Sequence, residues 1–300
     1  MNVEMNTKVS MTDRLAIYAK LIRFHRPIGT LLLLWPALWA LWLASDGKPP
    51  WAVVVIFILG VFLMRSAGCA INDYADRGFD DKVERTVDRP LAQGLIKPKE
   101  ALMVFGVLVL CAFGLVLLLN NLTIMMSVVA VVLATIYPFM KRYTHLPQLV
   151  LGMAFGWAVP MAFTAIDNAM PPPYVWILFI TTVIWVLIYD TEYAMVDRED
   201  DLKVGIKSTA ILFGENDRLM IGILQLVTLG LLVLVGIKAE MGFIYYLGVM
   251  GAGLSALYQQ YLIREREPAN CFRAFLENNT FGMVIFIGIF LDYMVRGWSV

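Results

Sequence analysis

Asn72, Asp76 and Asp80 recur at intervals of four residues. On a helix that spacing sets three oxygen-bearing side chains along one oblique stripe. A second acidic run, YDTEYAMVDREDD from Tyr189, holds Asp190, Asp197 and Asp201. At about 100° per residue these three project within about 40° of one another. The four-residue step from Asp76 to Asp80 is repeated from Asp197 to Asp201. Carboxylates gathered in this way repel one another unless a cation intervenes. Mg²⁺ binds through one or two carboxylates plus substrate phosphates and keeps waters as its other ligands. Two facing acidic clusters can therefore hold a diphosphate through metal ions. Cations stand nearby to balance the remaining phosphate charge: Arg77, Arg85, Arg89, Lys203 and Lys207, with Lys141 and Arg142 in an intervening loop.

The elements that must carry these residues are apolar. Of 300 residues, 60% are hydrophobic and 16% charged, where soluble domains carry about a quarter charged. The mean hydropathy of +0.72 agrees with a polytopic membrane protein. A net charge of zero argues neither way about nucleic acid, and for a chain embedded in a lipid bilayer no nucleic-acid partner is expected. Cys69, Cys111 and Cys271 sit in or beside apolar stretches at wide spacing. They indicate buried thiols and no disulfide framework or zinc site.

Stretches able to cross a hydrocarbon core of about 30 Å lie near 28–45, 51–71, 101–119, 122–140, 149–166, 174–195, 219–237, 242–263 and 279–296. The expectation is an all-α membrane protein of nine transmembrane helices around a central cavity. Residues 1–27 form an amphipathic cytoplasmic segment (Leu15, Tyr18, Ala19 and Ile22 on one face), and residues 28–300 the membrane domain. Most of the 24 Lys and Arg fall on the N-terminal side of the spans, which places the N-terminus and both acidic loops in the cytoplasm. Asp190 and Glu192 stand inside or at the edge of an apolar span, where ionisable groups usually face a cavity. Arg65, also inside a span, suits a snorkelling or a site role equally.

Four stretches carry a resemblance: the NDxxDxxxD pattern at Asn72–Asp80, RTxxRPLxxG from Arg85, YPFMKRYTHLPQ from Tyr137 and YDTEYAMVDREDDLKVGIKSTAILFG from Tyr189. Together they are similar to the UbiA family of intramembrane aromatic prenyltransferases. The resemblance runs from about Arg23 to the last span. It implies Mg²⁺, a polyprenyl diphosphate donor and an aromatic acceptor, 4-hydroxybenzoate in the branch that the second motif most resembles. It further implies a step of ubiquinone biosynthesis in the bacterial inner membrane. Carried over by motif, Asn72, Asp76 and Asp80 fall in the first metal–diphosphate cluster, and Asp197 and Asp201 in the second. Arg142, in the matching KR pair, touches the diphosphate. Arg23, in an RxxxP pattern, binds the acceptor carboxylate.

Two other readings compete. A family member taking a dihydroxynaphthoate or haem keeps the aspartates and changes the acceptor pocket. A secondary transporter uses its intramembrane acids as an ion path, but such sites lie near the midplane, whereas these acids gather at one face.

Overall fold

A computed structural model describes residues 11–78, 80 and 86–297. Arg85 and residues 1–10 lie outside the described residues. Among the described residues every regular element is helical. Thirteen α-helices follow in order. They are α1 Met11–Leu21, α2 Ile28–Ala44, α3 Trp51–Asp76, α4 Pro98–Val116, α5 Asn121–Ile136, α6 Pro147–Gly156 and α7 Ala158–Asp167. The rest are α8 Pro173–Val196, α9 Arg198–Val204, α10 Thr209–Phe213, α11 Asp217–Lys238, α12 Phe243–Leu262 and α13 Pro268–Gly297.

Local signals set these boundaries. Pro98, Pro147 and Pro173 occupy the first turns of their helices, where a missing N–H costs nothing. Asn120 caps α5 by accepting from the Thr123 amide at 3.0 Å, and its own amide donates to the Thr164 carbonyl of α7.

Among the described residues, seven segments are long and apolar enough to cross a membrane. Seven of the nine expected crossings match them. The other two fall short for different reasons. Helix α2 is apolar but has only 17 residues, a rise of about 26 Å. Helix α12 has 20 residues, but four tyrosines and two glutamines dilute its apolarity. The expected span at 149–166 is two helices, α6 and α7, which meet at Trp157. The N-terminal helix packs on the bundle through its second half. Leu21 is fully buried and Ile17 and Tyr18 pack beside it, while Leu15 is 61% exposed. Cys69 and Cys271 are buried, but Cys111 is exposed on α4.

Lipid is as apolar as leucine, so packing and interhelical hydrogen bonds hold such a bundle together. Helix α13 supplies both. Trp35 donates to Asn279 at 3.0 Å, Trp39 to the Gly282 carbonyl at 3.0 Å and Trp185 to Asn278 at 2.9 Å. Trp39 and Trp185 are each only 1% exposed and stand 5.2 Å apart, centroid to centroid. Against α12 the approach is backbone to backbone. A Cβ on Gly248 would meet the Val284 carbonyl at 2.8 Å and the Gly288 Cα at 3.0 Å, so only glycine fits there. The result is a rigid wall that leaves one end of α3 and α8 to carry the acids.

Candidate active site

Helix α3 brings the first acidic motif to the end of its apolar run. Asp73, Asp76 and Asp80 are only 1%, 3% and 4% exposed. Carboxylates so buried require cations. Arg89 is the shared one. Its Nη1 lies 2.9 Å from Asp80 Oδ2, 3.3 Å from Asp73 Oδ1 and 3.7 Å from Asp76 Oδ2. Arg23 donates to Asp73 Oδ1 at 2.7 Å, Lys141 donates to Asp76 Oδ2, and Asn72 Nδ2 donates to that same oxygen at 3.0 Å. Arg23 reaches this position from a left-handed backbone, φ 54°. That conformation costs an L-residue about 1–2 kcal/mol, which the ion pair with Asp73 offsets. Asp80 lies beyond the end of α3, so the three motif residues do not share one continuous helix. Burial pushes the Asp80 carboxyl up to about 6; Arg89 opposes the shift, and Asp76 and Asp73 add to it.

A short 3-10 segment, Tyr137–Arg142, joins this cluster to the second acidic region. On one side Lys141 pairs with Asp76, and the Arg142 guanidinium donates to the Ala75 carbonyl. On the other, the Lys141 carbonyl accepts from the Lys207 amide at 3.1 Å, and Lys207 Nζ donates to the Tyr143 carbonyl at 3.3 Å. The KR pair is therefore the strut between the two motifs.

The second motif does not extend α8 as one helix. Helix α8 ends at Val196 and α9 begins at Arg198, with Asp197 at the joint. The Asp201 amide closes that joint by donating to the Asp197 carbonyl at 2.8 Å. Asp197 and Asp201 are half-buried. Behind them Arg198 and Arg266 both bind Asp217, which is fully buried, and so fasten α9 to the turn before α13. Lys203 stands apart: its side chain is 70% exposed and pairs with Asp200 at 3.0 Å.

Beneath the first motif lies a cavity of about 290 Å³. Four arginines line it, Arg23, Arg26, Arg65 and Arg89, and among the described residues Asp190 is the only acid to do so. Asn72, Ser127, Tyr137, Tyr189 and Tyr193 add polar groups, and the remaining wall is apolar. Arg65 fits because residue 29 is glycine; a Cβ there would lie 2.3 Å from Arg65 Nε. Among the described residues Arg65 has no carboxylate within ion-pair distance. The sequence left Arg65 between two roles and Arg89 among the surrounding cations, but the structure puts both on the cavity wall. The signal for Arg89 is the RTxxRP run that follows the first motif.

The donor set suits a divalent cation that shares its coordination with a phosphate. Asp76 Oδ1 is buried and has no hydrogen-bond partner among the described residues. Among those residues no group of three His, Cys, Asp or Glu forms a closed metal cage. Mg²⁺ needs none, since phosphate oxygens and waters complete its shell. Asp76 Oδ1 is the oxygen of the first motif left over for such an ion.

The chain is similar to known proteins in both sequence and fold. The description "UbiA prenyltransferase family" matches residues 33–287. A 4-hydroxybenzoate octaprenyltransferase from Alkalilimnicola ehrlichii is 57% identical over 96% of this chain and 98% of its own. Another from Nitrosococcus oceani is 60% identical over 95% and 99%. A UbiA homolog from Aeropyrum pernix K1 superposes with a TM-score of 0.78 at 24% identity, covering 88% of this chain and 97% of its own. One from Archaeoglobus fulgidus, solved with GPP and Mg²⁺, superposes at 0.72 and 19% identity, over 95% and 100%.

Arg89→Ala leaves Asp73, Asp76 and Asp80 without their shared cation. Breaking buried ion pairs in this way costs about 3–5 kcal/mol, so the thermal midpoint in detergent falls. Added Mg²⁺ restores more of that loss than it adds to the wild type, because it meets the same uncompensated carboxylates. An Mg²⁺ shift of equal size in both proteins would contradict the shared-cation role.

Proposed function

This chain belongs to the UbiA prenyltransferase family, and we propose that the cavity beneath its first acidic motif is where a polyprenyl group passes from its diphosphate to 4-hydroxybenzoate. The chain is an aromatic prenyltransferase, a membrane enzyme of ubiquinone biosynthesis. The observation that carries the site is the cavity itself: largely apolar walls, four arginines, and Asn72 and Asp190 from the two acidic stretches in its lining. Family membership argues against the transporter reading, and identities of 57% and 60% to 4-hydroxybenzoate octaprenyltransferases favour 4-hydroxybenzoate over the other acceptors.

The topology follows from charge and length. Helices α2 and α12 serve as two further crossings, since 17 residues is the lower limit for a span. Nine helices then surround the cavity, behind a cytoplasmic segment of residues 1–27. The positive-inside bias sets the N-terminus and both motifs at the cytoplasmic face of the bacterial inner membrane.

In the reaction, the bond between the allylic carbon and the diphosphate oxygen breaks. A carbon–carbon bond forms ortho to the acceptor hydroxyl, and the ring carbon releases its proton. Asn72, Asp76 and Asp80 of the first motif and Asp197 and Asp201 of the second would hold Mg²⁺ and, through it, the diphosphate. Bound Mg²⁺ supplies neutralisation of the charge that develops on the departing diphosphate. Lys141 and Arg142, with Arg85 of the RTxxRP run, balance the remaining phosphate charge, and Lys203 on α9 adds to them when it exchanges Asp200 for phosphate. Arg89 and Lys141 already face carboxylates, and the diphosphate offers them competing oxygens. Asp190 holds its carboxylate beside the cation-like allylic carbon. The aliphatic wall excludes the water that would quench that carbon.

Purified enzyme given polyprenyl diphosphate and 4-hydroxybenzoate should release diphosphate and prenylated product together. EDTA should abolish both, Mg²⁺ should restore them, and Ca²⁺ should do so poorly because its coordination is looser. Asp76→Ala and Asp197→Ala should each lower kcat at least about 100-fold, and the double variant should be little worse, as for groups acting as a unit. Full turnover in chelator would sink the metal-bridged site.

The acceptor carboxylate needs a planar cation. Arg23 is the proposed one, and its position at the cavity mouth supports that role, although Asp73 shares its guanidinium. Arg23→Lys should raise KM for 4-hydroxybenzoate by about ten- to a hundred-fold and leave KM for the diphosphate nearly unchanged. If Arg65→Lys alone moves the acceptor KM, Arg23 is only the clamp on Asp73.

A further inference from the structure

Helices α11 and α12 enclose a second concavity, which shares no lining residue with the first. Its volume is about 1050 Å³, at the upper end of the usual range for ligand sites. Leu226, Met250, Leu254 and Leu257 wall it with exposures of 72%, 60%, 62% and 68%, so it opens onto the bilayer. Gly253 lowers the floor; a Cβ there would touch only Leu229 Cδ1, at an ordinary 3.7 Å.

One end of the groove is basic. Arg218 and Arg266 line it there, and Glu215 is the only acid to do so. Arg266 is committed to Asp217, 2.9 Å away. Arg218 is not committed. Its Nη1 donates to the Arg264 carbonyl at 2.8 Å, and among the described residues no carboxylate lies within ion-pair distance. Its Nε is buried and has no hydrogen-bond partner. Arg218 also stands in the first turn of a 22-residue helix, whose dipole favours an anion at that end. Farther along, Gln225 and Gln260 satisfy each other and their neighbours through bonds of 2.8–3.3 Å. They place no unmet polar demand on a chain lying over them.

The geometry points to a binding site for an anionic phospholipid, with its phosphate on Arg218 and its acyl chains along α11 and α12. The apolar length calls for a lipid over free phosphate. Arg218, with no carboxylate within ion-pair distance among the described residues, favours a net-anionic headgroup over one that carries its own ammonium, whereas Arg264 and Arg266 are paired with Glu265 and Asp217.

The test uses the full chain in a non-ionic detergent, with thermal midpoints and native mass spectrometry as readouts. Phosphatidylglycerol at about a hundred times its Kd should raise the midpoint by about 5–10 °C and leave a lipid adduct. Phosphatidylcholine should do less than half as much, and inorganic phosphate nothing. Arg218→Gln should bring phosphatidylglycerol down to the phosphatidylcholine level, and Gly253→Leu should remove both adducts by filling the groove. A phosphatidylglycerol shift unchanged in Arg218→Gln would overturn the site. So would a shift reproduced by phosphate alone, or adducts that persist in Gly253→Leu.

Discussion

A carboxylate cannot stay charged and buried without a cation, and the end of helix α3 with the chain just after it buries three of them. Asp73, Asp76 and Asp80 are each less than 5% exposed. Their demand explains structure that is distant in sequence. The loop after α3 folds back until Arg89 meets all three. The turn between α1 and α2 accepts a left-handed arginine at position 23. The segment after α5 tightens to a 3-10 turn whose lysine reaches Asp76. Each of these gives up favourable backbone or solvation energy, and the mutual neutralisation offsets it.

The same pairing prepares the chemistry. A site lined only with acids would repel a diphosphate, and one lined only with arginines would bind the diphosphate without orienting a metal. Here cations and carboxylates neutralise one another before substrate arrives, and Asp76 keeps one oxygen without a partner. In the proposed reaction, metal and diphosphate enter as a compensated unit and exchange partners with the side chains already present. The bundle contributes rigidity and dryness. Three tryptophan indoles bonded into α13 fix the walls of the apolar space where a reactive carbon must avoid water.

Much of this was legible in the sequence. Long apolar stretches locate α3, α4, α5, α8 and α11 to within a few residues, because backbone groups in lipid must be satisfied within the helix; the stretch at 149–166 gave no sign of the break between α6 and α7. The four-residue spacing identifies Asn72, Asp76 and Asp80 as one cluster. What the spacing could not give was continuity. It reads Asp190, Asp197 and Asp201 as one stripe, whereas the chain breaks at Asp197 to start α9. Nor could it assign partners. Lys203 resembles a diphosphate ligand in sequence yet pairs with Asp200 on an exposed face. Arg89 looks like one cation among many until the loop brings it onto three carboxylates. Long-range ion pairs depend on how loops return, and no local period records that.

The central claim is that the acidic motif acts on diphosphate through a metal held by Asp76. The most direct measurement is the affinity of purified protein for an unreactive prenyl thiodiphosphate, by calorimetry with and without Mg²⁺. The account predicts that Mg²⁺ tightens binding at least about tenfold in the wild type, or roughly 1.4 kcal/mol, and leaves Asp76→Ala unchanged. Equal affinity with and without Mg²⁺ in the wild type would contradict it.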